Sequence, residues 1–419
     1  MERKPTLVVA LGGNALLKRG EPLEADIQRQ NIELAARTIA GLTEQWRVVL
    51  VHGNGPQVGL LALQNSAYDK VTPYPLDVLG AESQGMIGYM LQQALKNSLP
   101  QREVSVLLTQ VEVDAADPAF SNPTKYIGPV YSEAQAKALA AEKGWVFRAD
   151  GSYVRRVVPS PQPKRIVESD AISALIQRDH LVICNGGGGV PVVENANGYR
   201  GIEAVIDKDL SAALLARQIE ADALLILTDQ SGLYDSDPRK NPHAKFIEEI
   251  AADHPELETM AGGAGSAVGT GGMYTKVVAA KRAALGGAAT LIASGHEPNL
   301  LQRLSQGERI GTWLTPARSR ISARKQWMMG HLQLSGSVII DNGAVIALSQ
   351  KHSSLLPIGC VAVNGQFHRG AVISVLNQTG QEVARGLVNY SSEEIEKILR
   401  LPSHQIEAKL GYVAEEEIL

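Results

Sequence analysis

Two lysines lie in settings that suit a transferring negative charge, and a third lies in an irregular stretch that favours function. Lys208 lies in Ile206-Asp207-Lys208-Asp209-Leu210, between two carboxylates. Lys276 closes the run Met273-Tyr274-Thr275-Lys276, behind a glycine cluster made of Gly262-Gly263, Gly265, Gly269, Gly271 and Gly272. Lys125 sits with Lys164 and several aromatics in an irregular stretch. A glycine-rich loop that ends in a lysine at a helix start suits the terminal phosphates of a nucleotide. The loop supplies N–H donors and the lysine a compact charge. Phosphoryl transfer needs cations on the moving group and something to hold those cations in place. Plainer readings exist for each: a surface loop with a solvated lysine, or a charged helix start capped by Asp207 or Asp209.

Three further glycine segments follow apolar runs. They are Gly12-Gly13-Asn14 after Leu11, Gly53-Asn54-Gly55-Pro56 after His52, and Gly186-Gly187-Gly188-Gly189 after Asn185. Any one of them could be a simple turn. Three at the carboxyl ends of strands describe an anion site, because ligands of open α/β sheets bind there. Glycine lets backbone N–H groups approach a phosphate, and a following helix N-terminus adds partial positive charge. No Gly-x-x-x-x-Gly-Lys-Ser/Thr occurs, and Gly53, Gly55 and Gly59 miss the Gly-x-Gly-x-x-Gly spacing, so the P-loop and dinucleotide readings lose their support. Thr228-Asp229-Gln230-Ser231-Gly232-Leu233-Tyr234 is another strand-end loop, placed to border a nucleotide base.

The elements that must position these residues follow from hydrophobic period. Buried strands are expected at Leu7–Leu11, Val48–His52, Val104–Leu108, Leu181–Cys184, Ala223–Leu227 and Ala289–Ala293. Between the first two, Ile32, Ala35, Ala36, Ile39 and Trp46 recur at helical spacing. Strands buried on both faces and separated by helices predict a three-layer α/β/α, mainly parallel open sheet. Residues 112–165, rich in Pro and Gly, interrupt the rhythm and read as an inserted subdomain or lid. Within them Ser132 and Gln135 form a capping-box pattern. The texture changes again near Arg318-Ser319-Arg320. After a helical run around Trp327, turns at Asp341-Asn342-Gly343, Val363-Asn364-Gly365 and Gln378-Thr379-Gly380 predict a small β-barrel. The chain reaches Glu415-Glu416-Glu417-Ile418-Leu419 without an obvious closing strand, so that barrel is expected to be incomplete or closed differently.

Composition limits the alternatives. At 419 residues a single core is too small, and two domains are expected. Hydrophobic residues at 44% and charged residues at 20% exclude a disordered chain. A formal charge of -4 argues against a dedicated nucleic-acid or anionic-membrane binder. The two cysteines, Cys184 and Cys360, give no basis for a disulfide framework or a zinc site. No apolar stretch is long enough to span a membrane. The first apolar run stops at Gly12-Gly13, unlike a signal peptide, and a cytoplasmic protein is expected.

The motifs also carry a resemblance. Leu7-Val8-Val9-Ala10-Leu11-Gly12-Gly13-Asn14-Ala15-Leu16, Val51-His52-Gly53-Asn54-Gly55-Pro56-Gln57-Val58-Gly59 and Ala81-Glu82-Ser83-Gln84-Gly85-Met86-Ile87-Gly88-Tyr89 resemble carbamate kinases, of the amino acid kinase superfamily. Pro123-Thr124-Lys125-Tyr126-Ile127-Gly128-Pro129-Val130-Tyr131, Arg155–Pro161 and Gly186–Pro191 continue the likeness to Asp209. Beyond it, Leu227–Tyr234 and Gly269-Thr270-Gly271-Gly272-Met273-Tyr274-Thr275-Lys276 resemble glutamate 5-kinase. Ser353–Pro357, Phe367–Gly370 and Gly386-Leu387-Val388-Asn389-Tyr390 resemble the PUA domain that bacterial glutamate 5-kinases carry. The chain therefore reads as a composite. Residues 1–315 would form the kinase domain, with 1–209 the carbamate-kinase-like acceptor half and 210–315 the nucleotide half. Residues 322–419 would form the PUA-like domain.

The resemblance implies an ATP-dependent kinase with Mg²⁺, acting on carbamate or, as the alternative, on L-glutamate. It implies that Lys125, Lys208 and Lys276 contact the transferring group and that Asp209 holds the latter two. Gly12, Gly13, Asn14, Gly53, Asn54, Gly55, Gly187 and Gly188 would face the acceptor. Thr228, Asp229, Tyr234, Gly271, Gly272, Met273 and Lys276 would face the nucleotide. A homodimer is the expected assembly, with a tetramer allowed by the glutamate-5-kinase-like half, and an RNA-binding role for the PUA-like domain is the reading from another class. Lys276→Ala or Lys208→Ala should lower turnover by about 10²–10³, as loss of a preorganised electrostatic donor does. Parental turnover in Lys276→Ala would remove the transfer site from this position.

Overall fold

The computed structural model describes residues 4–13, 16–17, 21–54, 56–68, 70–238, 241–262, 272–295, 297, 300–305, 308–316, 334–351, 354–369, 371–415 and 417–419. The chain divides into two compact units, 1–320 and 321–419. Among the described residues no helix is long and apolar enough to cross a membrane.

The first unit is organised by an eight-stranded sheet. Its order is Glu249–Ala251, Thr312–Thr315, Ala289–Ser294, Ala223–Thr228, Thr6–Leu11, Arg47–His52, Leu181–Cys184 and Val104–Val106. The strands from Ala289–Ser294 to Val104–Val106 pair in parallel, and Thr312–Thr315 runs antiparallel to its neighbour Ala289–Ser294. Strand Thr6–Leu11 is buried throughout, and its side chains alternate between two cores. Val8 and Ala10 join the layer of helices Lys208–Gln218 and Met273–Leu285. Leu7, Val9 and Leu11 join that of helices Ala25–Leu42 and Leu76–Ser98, through Ile32, Ala36, Ile39, Ile87 and Leu91. This is the three-layer α/β/α arrangement that the doubly buried runs predict.

Parallel pairing has a functional consequence. The registers Ala10↔Ile226, Leu11↔His52, Val51↔Cys184 and Thr228↔Ser294 align the carboxyl ends of five neighbouring strands along one edge. The loops beginning at Gly12, Gly53, Asn185, Asp229 and Gly295 are therefore neighbours. Backbone bonds tie them in pairs: Gly53 N–H donates to Leu11 O (3.1 Å) and Gly295 N–H to Thr228 O (2.8 Å).

Some expectations needed correction. The third predicted strand stops at Val106, and Leu108 is exposed, because the chain turns away to pair in another sheet. That four-stranded sheet runs Gly198–Gly201, Val190–Asn195, Gln110–Val113 and Pro163–Ile166. Strands Gln110–Val113 and Pro163–Ile166 pair antiparallel, bringing the ends of the intervening segment together. The segment itself folds as a three-stranded antiparallel sheet (Lys125–Tyr131, Tyr153–Val158, Val146–Asp150) with helix Glu133–Lys143, whose Ser132–Gln135 capping box is present. Its seat is helix Gln57–Ala67. A methyl group on Gly59 would lie 2.2 Å from the Gly128 Cα, and Gly128 is itself left-handed at φ +67°.

The second unit is a four-stranded sheet, Cys360–Asn364, Gly336–Ile340, Val372–Asn377 and Glu382–Leu387, with helices packed on Val338, Ile340, Ile373 and Val375. The Asp341-Asn342-Gly343 turn is a correction: it opens helix Asn342–Lys351, because the Asp341 side chain accepts from the Ala344 N–H at 2.9 Å and so caps it. The Gln378-Thr379-Gly380 turn joins two paired strands, with Gly380 at φ +83°. Instead of a closing strand, the last residues bond across the unit: Ile418 N–H donates to Leu355 O, and Leu355 N–H to Leu419 O. Arg318, Ser319, Arg320 and Trp327 lie outside the described residues.

The Gly59–Gly128 contact is between backbones and has no side chain that can yield. Gly59→Ala should destabilise the protein by about 1–3 kcal/mol, the usual range for overpacking. A urea midpoint equal to that of the parent would show that the insertion does not bear on this helix.

Candidate active site

The site is assembled from the start of helix Lys208–Gln218. Asp207 is its N-cap: Oδ1 accepts from the Asp209 N–H (2.9 Å) and more weakly from the Leu210 N–H (3.4 Å). Its other oxygen, Oδ2, accepts from the Lys125 ammonium at 2.8 Å. Capping fixes the first turn, and the first turn aims Lys208 and Asp209. The Asp209 carboxylate, 2% exposed, accepts from Lys208 through Oδ1 and from Lys276 at 3.0 Å through Oδ2. Lys276 arrives on the adjacent helix, Met273–Leu285, whose N-cap is Gly272. Three ammonium groups from three parts of the chain thus converge on two buried carboxylates.

Burial and pairing act against each other here. Burial would push the Asp209 carboxyl up, but Lys208 and Lys276 more than reverse it and hold it well below the ordinary range. Asp207 behaves alike: burial raises it, and the Lys125 charge brings it below the usual value. For Lys208 burial wins and its ammonium is easier to discharge than usual, with Asp209 opposing. For Lys276 burial works downward, but Asp209, Asp207 and the more distant Asp229 outweigh it, so it is raised.

The glycine loops form the rim. Asn185 (φ +51°), Gly187 (φ +65°) and Gly188 (φ +93°) take positive φ on either side of Gly186. A Cβ on Gly187 would meet Asn54 Nδ2 at 2.6 Å, and one on Gly188 would meet Ile206 O at 2.3 Å. Loop 53–54 and the approach to Asp207 are thereby brought against the same turn. Behind it, Gly186 packs on the ring of His52 and on Gln84. His52 is buried, and its Nδ1–H donates to Gly53 O at 2.9 Å. Gln84 brackets the Thr109 backbone with both amide atoms, and the Asn185 amide donates to Ser211 Oγ. Gly12 lies against Leu227 O, where a Cβ would approach to 3.0 Å.

Residues 5–294 match the amino acid kinase family. This chain belongs to the amino acid kinase family. Residues 336–410 match the PUA domain. A carbamate kinase of Escherichia coli is 58% identical over 231 residues, 55% of this chain and 77% of the relative. A glutamate 5-kinase of Laribacter hongkongensis is 56% identical over 213 residues, 51% of this chain and 57% of that relative. The solved structure of carbamate kinase from Giardia lamblia bound to AMP-PNP superposes with a TM-score of 0.65 at 40% identity, covering 75% of this chain and 99% of that one. The N-terminal half is thus carbamate-kinase-like, glutamate 5-kinases cover the remainder, and the chain is a composite. It is a phosphotransferase with ATP and ADP as its nucleotides and a carboxyl or carbamate group as acceptor.

In this amino acid kinase the predicted site residues fall into three groups. Lys125, Lys208, Asp209 and Lys276 share one ion-pair cluster, and Gly12, Gly13, Gly53, Asn54, Gly187 and Gly188 lie on the strand-end loops beside it. Thr228, Asp229, Gly272 and Met273 flank Lys276 in the chain or in space; Thr228 Oγ1 donates to Asp229, and the half-buried Met273 packs on the core. Tyr234 is set apart in the ribbon Leu233–Tyr234 with Phe246–Ile247, its ring edge-on to Phe246 at 5.3 Å. Asn14, Gly55 and Gly271, and the glycines from 263 to 269, lie outside the described residues. Sequence reasoning treated Asp207 only as a cap and gave His52 and Gln84 no part; the motif His52-Gly53-Asn54 held the signal for the second.

His52 makes the site acid-sensitive. Burial lowers its pKa to about 4, against the opposing bond to Gly53. A base whose pKa falls on folding binds more protons unfolded, so its contribution is complete above pH ~6.5 and lost as pH falls towards 4. Between pH 7 and 5 this one group should cost about 2 kcal/mol of stability. His52→Gln should flatten that slope in urea midpoints measured at both pH values; an unchanged slope would assign the acid sensitivity elsewhere.

Proposed function

We propose that the protein is a carbamate kinase, catalysing ATP + carbamate ⇌ ADP + carbamoyl phosphate. The observation that carries this is the carbamate-kinase-like half, 58% identical to a carbamate kinase over 231 residues, whose strand-end loops lie beside the Lys208–Asp209–Lys276 ion triple. In the forward direction a carbamate oxygen attacks the γ-phosphorus, the new O–P bond forms, and the bond to the ADP oxygen breaks. The acceptor is already an oxyanion, so no strong general base is required. The barrier lies in bringing one anion to another, and fixed cations with backbone dipoles lower it. Lys276 and Lys208, already oriented by Asp209, would neutralise the charge on the moving group, and Lys125 would approach it from the insertion. Gly53, Asn54, Gly187 and Gly188 would offer donors to the acceptor side, Thr228, Asp229 and Gly272 would border the nucleotide, and Tyr234 would stand further out.

Mg²⁺ would be held chiefly by the nucleotide and water, and would supply charge neutralisation on the phosphates. The residues present fit this mode better than a dedicated cage. Asp207 and Asp209 already serve lysines or backbone N–H groups, and among the described residues no three Asp, Glu, His or Cys side chains group around a metal-sized space.

The glutamate 5-kinase relatives support a second reading, in which L-glutamate is the acceptor. The catalytic cluster would serve either substrate, and the acceptor pocket decides between them. With purified full-length protein, ADP release should follow carbamate and not glutamate, and ADP with carbamoyl phosphate should yield ATP. Turnover with glutamate alone would transfer the assignment to the second reading. A homodimer is proposed for the assembly.

A further inference from the structure

The two oxygens of Asp207 have different partners. Oδ1 takes the N–H groups of Asp209 and Leu210 at the start of helix Lys208–Gln218, within the central domain. Oδ2 takes the ammonium of Lys125, the first residue of strand Lys125–Tyr131 in the insertion, 82 positions away in sequence. The carboxylate is 3% exposed, so water does not substitute for either partner. We propose that Asp207 is a positioning residue that holds the Lys125 ammonium at the transfer site while setting the turn that aims Lys208 and Asp209. This rests on reading Lys125 as a contact of the transferring group.

The physical case is one of degrees of freedom. A lysine carries its charge on a flexible four-carbon stem, and the strand bearing Lys125 belongs to a separate small sheet. Besides Asp207, that sheet meets the central domain through the apolar seat at Gly59, Val58, Ile127 and Val158 and through Arg156, which donates to Glu203 at 3.4 Å; the tie at the first residue of strand Lys125–Tyr131, and at its ammonium, is Asp207. One carboxylate serving both the helix cap and the ammonium puts Lys125 and Lys208 in a common frame. When a phosphoryl group arrives, Lys125 shifts part of its hydrogen bonding to it without a search. Asparagine cannot do the same. Its single amide oxygen serves the cap or Lys125, and the NH₂ would face the remaining partner.

The test uses full-length Asp207→Asn and Asp207→Ser, both of which keep a good N-cap residue. Three measurements are needed: thermal melting, steady-state kinetics with carbamate and ATP, and hydrogen exchange across residues 125–131. Melting should stay near that of the parent. The kcat should fall about 10²-fold, the scale of a small misplacement, while KM for ATP changes little. Exchange at 125–131 should rise while strand Thr6–Leu11 stays protected. Unchanged exchange at 125–131, or parental kcat, overturns the proposal. If the parent itself does not phosphorylate carbamate, the acceptor assignment fails alone, and increased exchange still sustains the anchor. If neither variant folds, Lys125→Gln, which leaves cap and carboxylate intact, takes the exchange measurement, and full protection there overturns the anchor.

Discussion

A buried carboxylate shared by two ammonium groups is the constraint on which the rest of the site depends. Asp209 is tolerable in the interior because Lys208 and Lys276 compensate it, and each lysine keeps its place because the carboxylate is there. A buried pair of this kind is weak evidence for stability, since desolvation offsets much of the attraction. Its value here is geometric. Lys276 is carried by helix Met273–Leu285, and Lys208 with Asp209 by helix Lys208–Gln218, and these two helices pack together against one face of the sheet. The ion triple is where that packing is translated into a fixed distribution of charge.

That distribution also explains how a chain drawn from two lineages can retain a coherent centre. The strand-end loops from the carbamate-kinase-like half and Lys276 from the glutamate-5-kinase-like part meet because parallel registry aligns the ends of five strands, whatever the ancestry of each.

Much of this was legible in the sequence, for identifiable reasons. The runs at 7–11, 48–52, 181–184, 223–227 and 289–293 were plain because strands buried on both faces need continuous apolar residues. Strands Glu249–Ala251 and Thr312–Thr315 were not, because they are only three and four residues long and carry the polar residues Glu249, Thr312 and Thr315 among their apolar ones. The Asp341 turn was misread since Asx chemistry serves a helix cap and a β-turn equally well, and only the following residues' packing decides. Among the site residues, lysines beside glycines signal charge for a phosphate. Asp207 carried the same letter whether it capped a helix or anchored a lysine 82 positions away, and no local pattern reports so distant a pairing. His52 was hidden for the opposite reason: it is packed by the close approach of Gly186, in the turn that follows another strand.

The left-handed turn at Gly187 and Gly188 has an evolutionary corollary. A methyl on Gly187 would displace the Asn54 side chain and one on Gly188 the Ile206 backbone, and both positions hold a positive φ that favours glycine. Variation that keeps this turn therefore falls to its neighbours and not to the two glycines themselves.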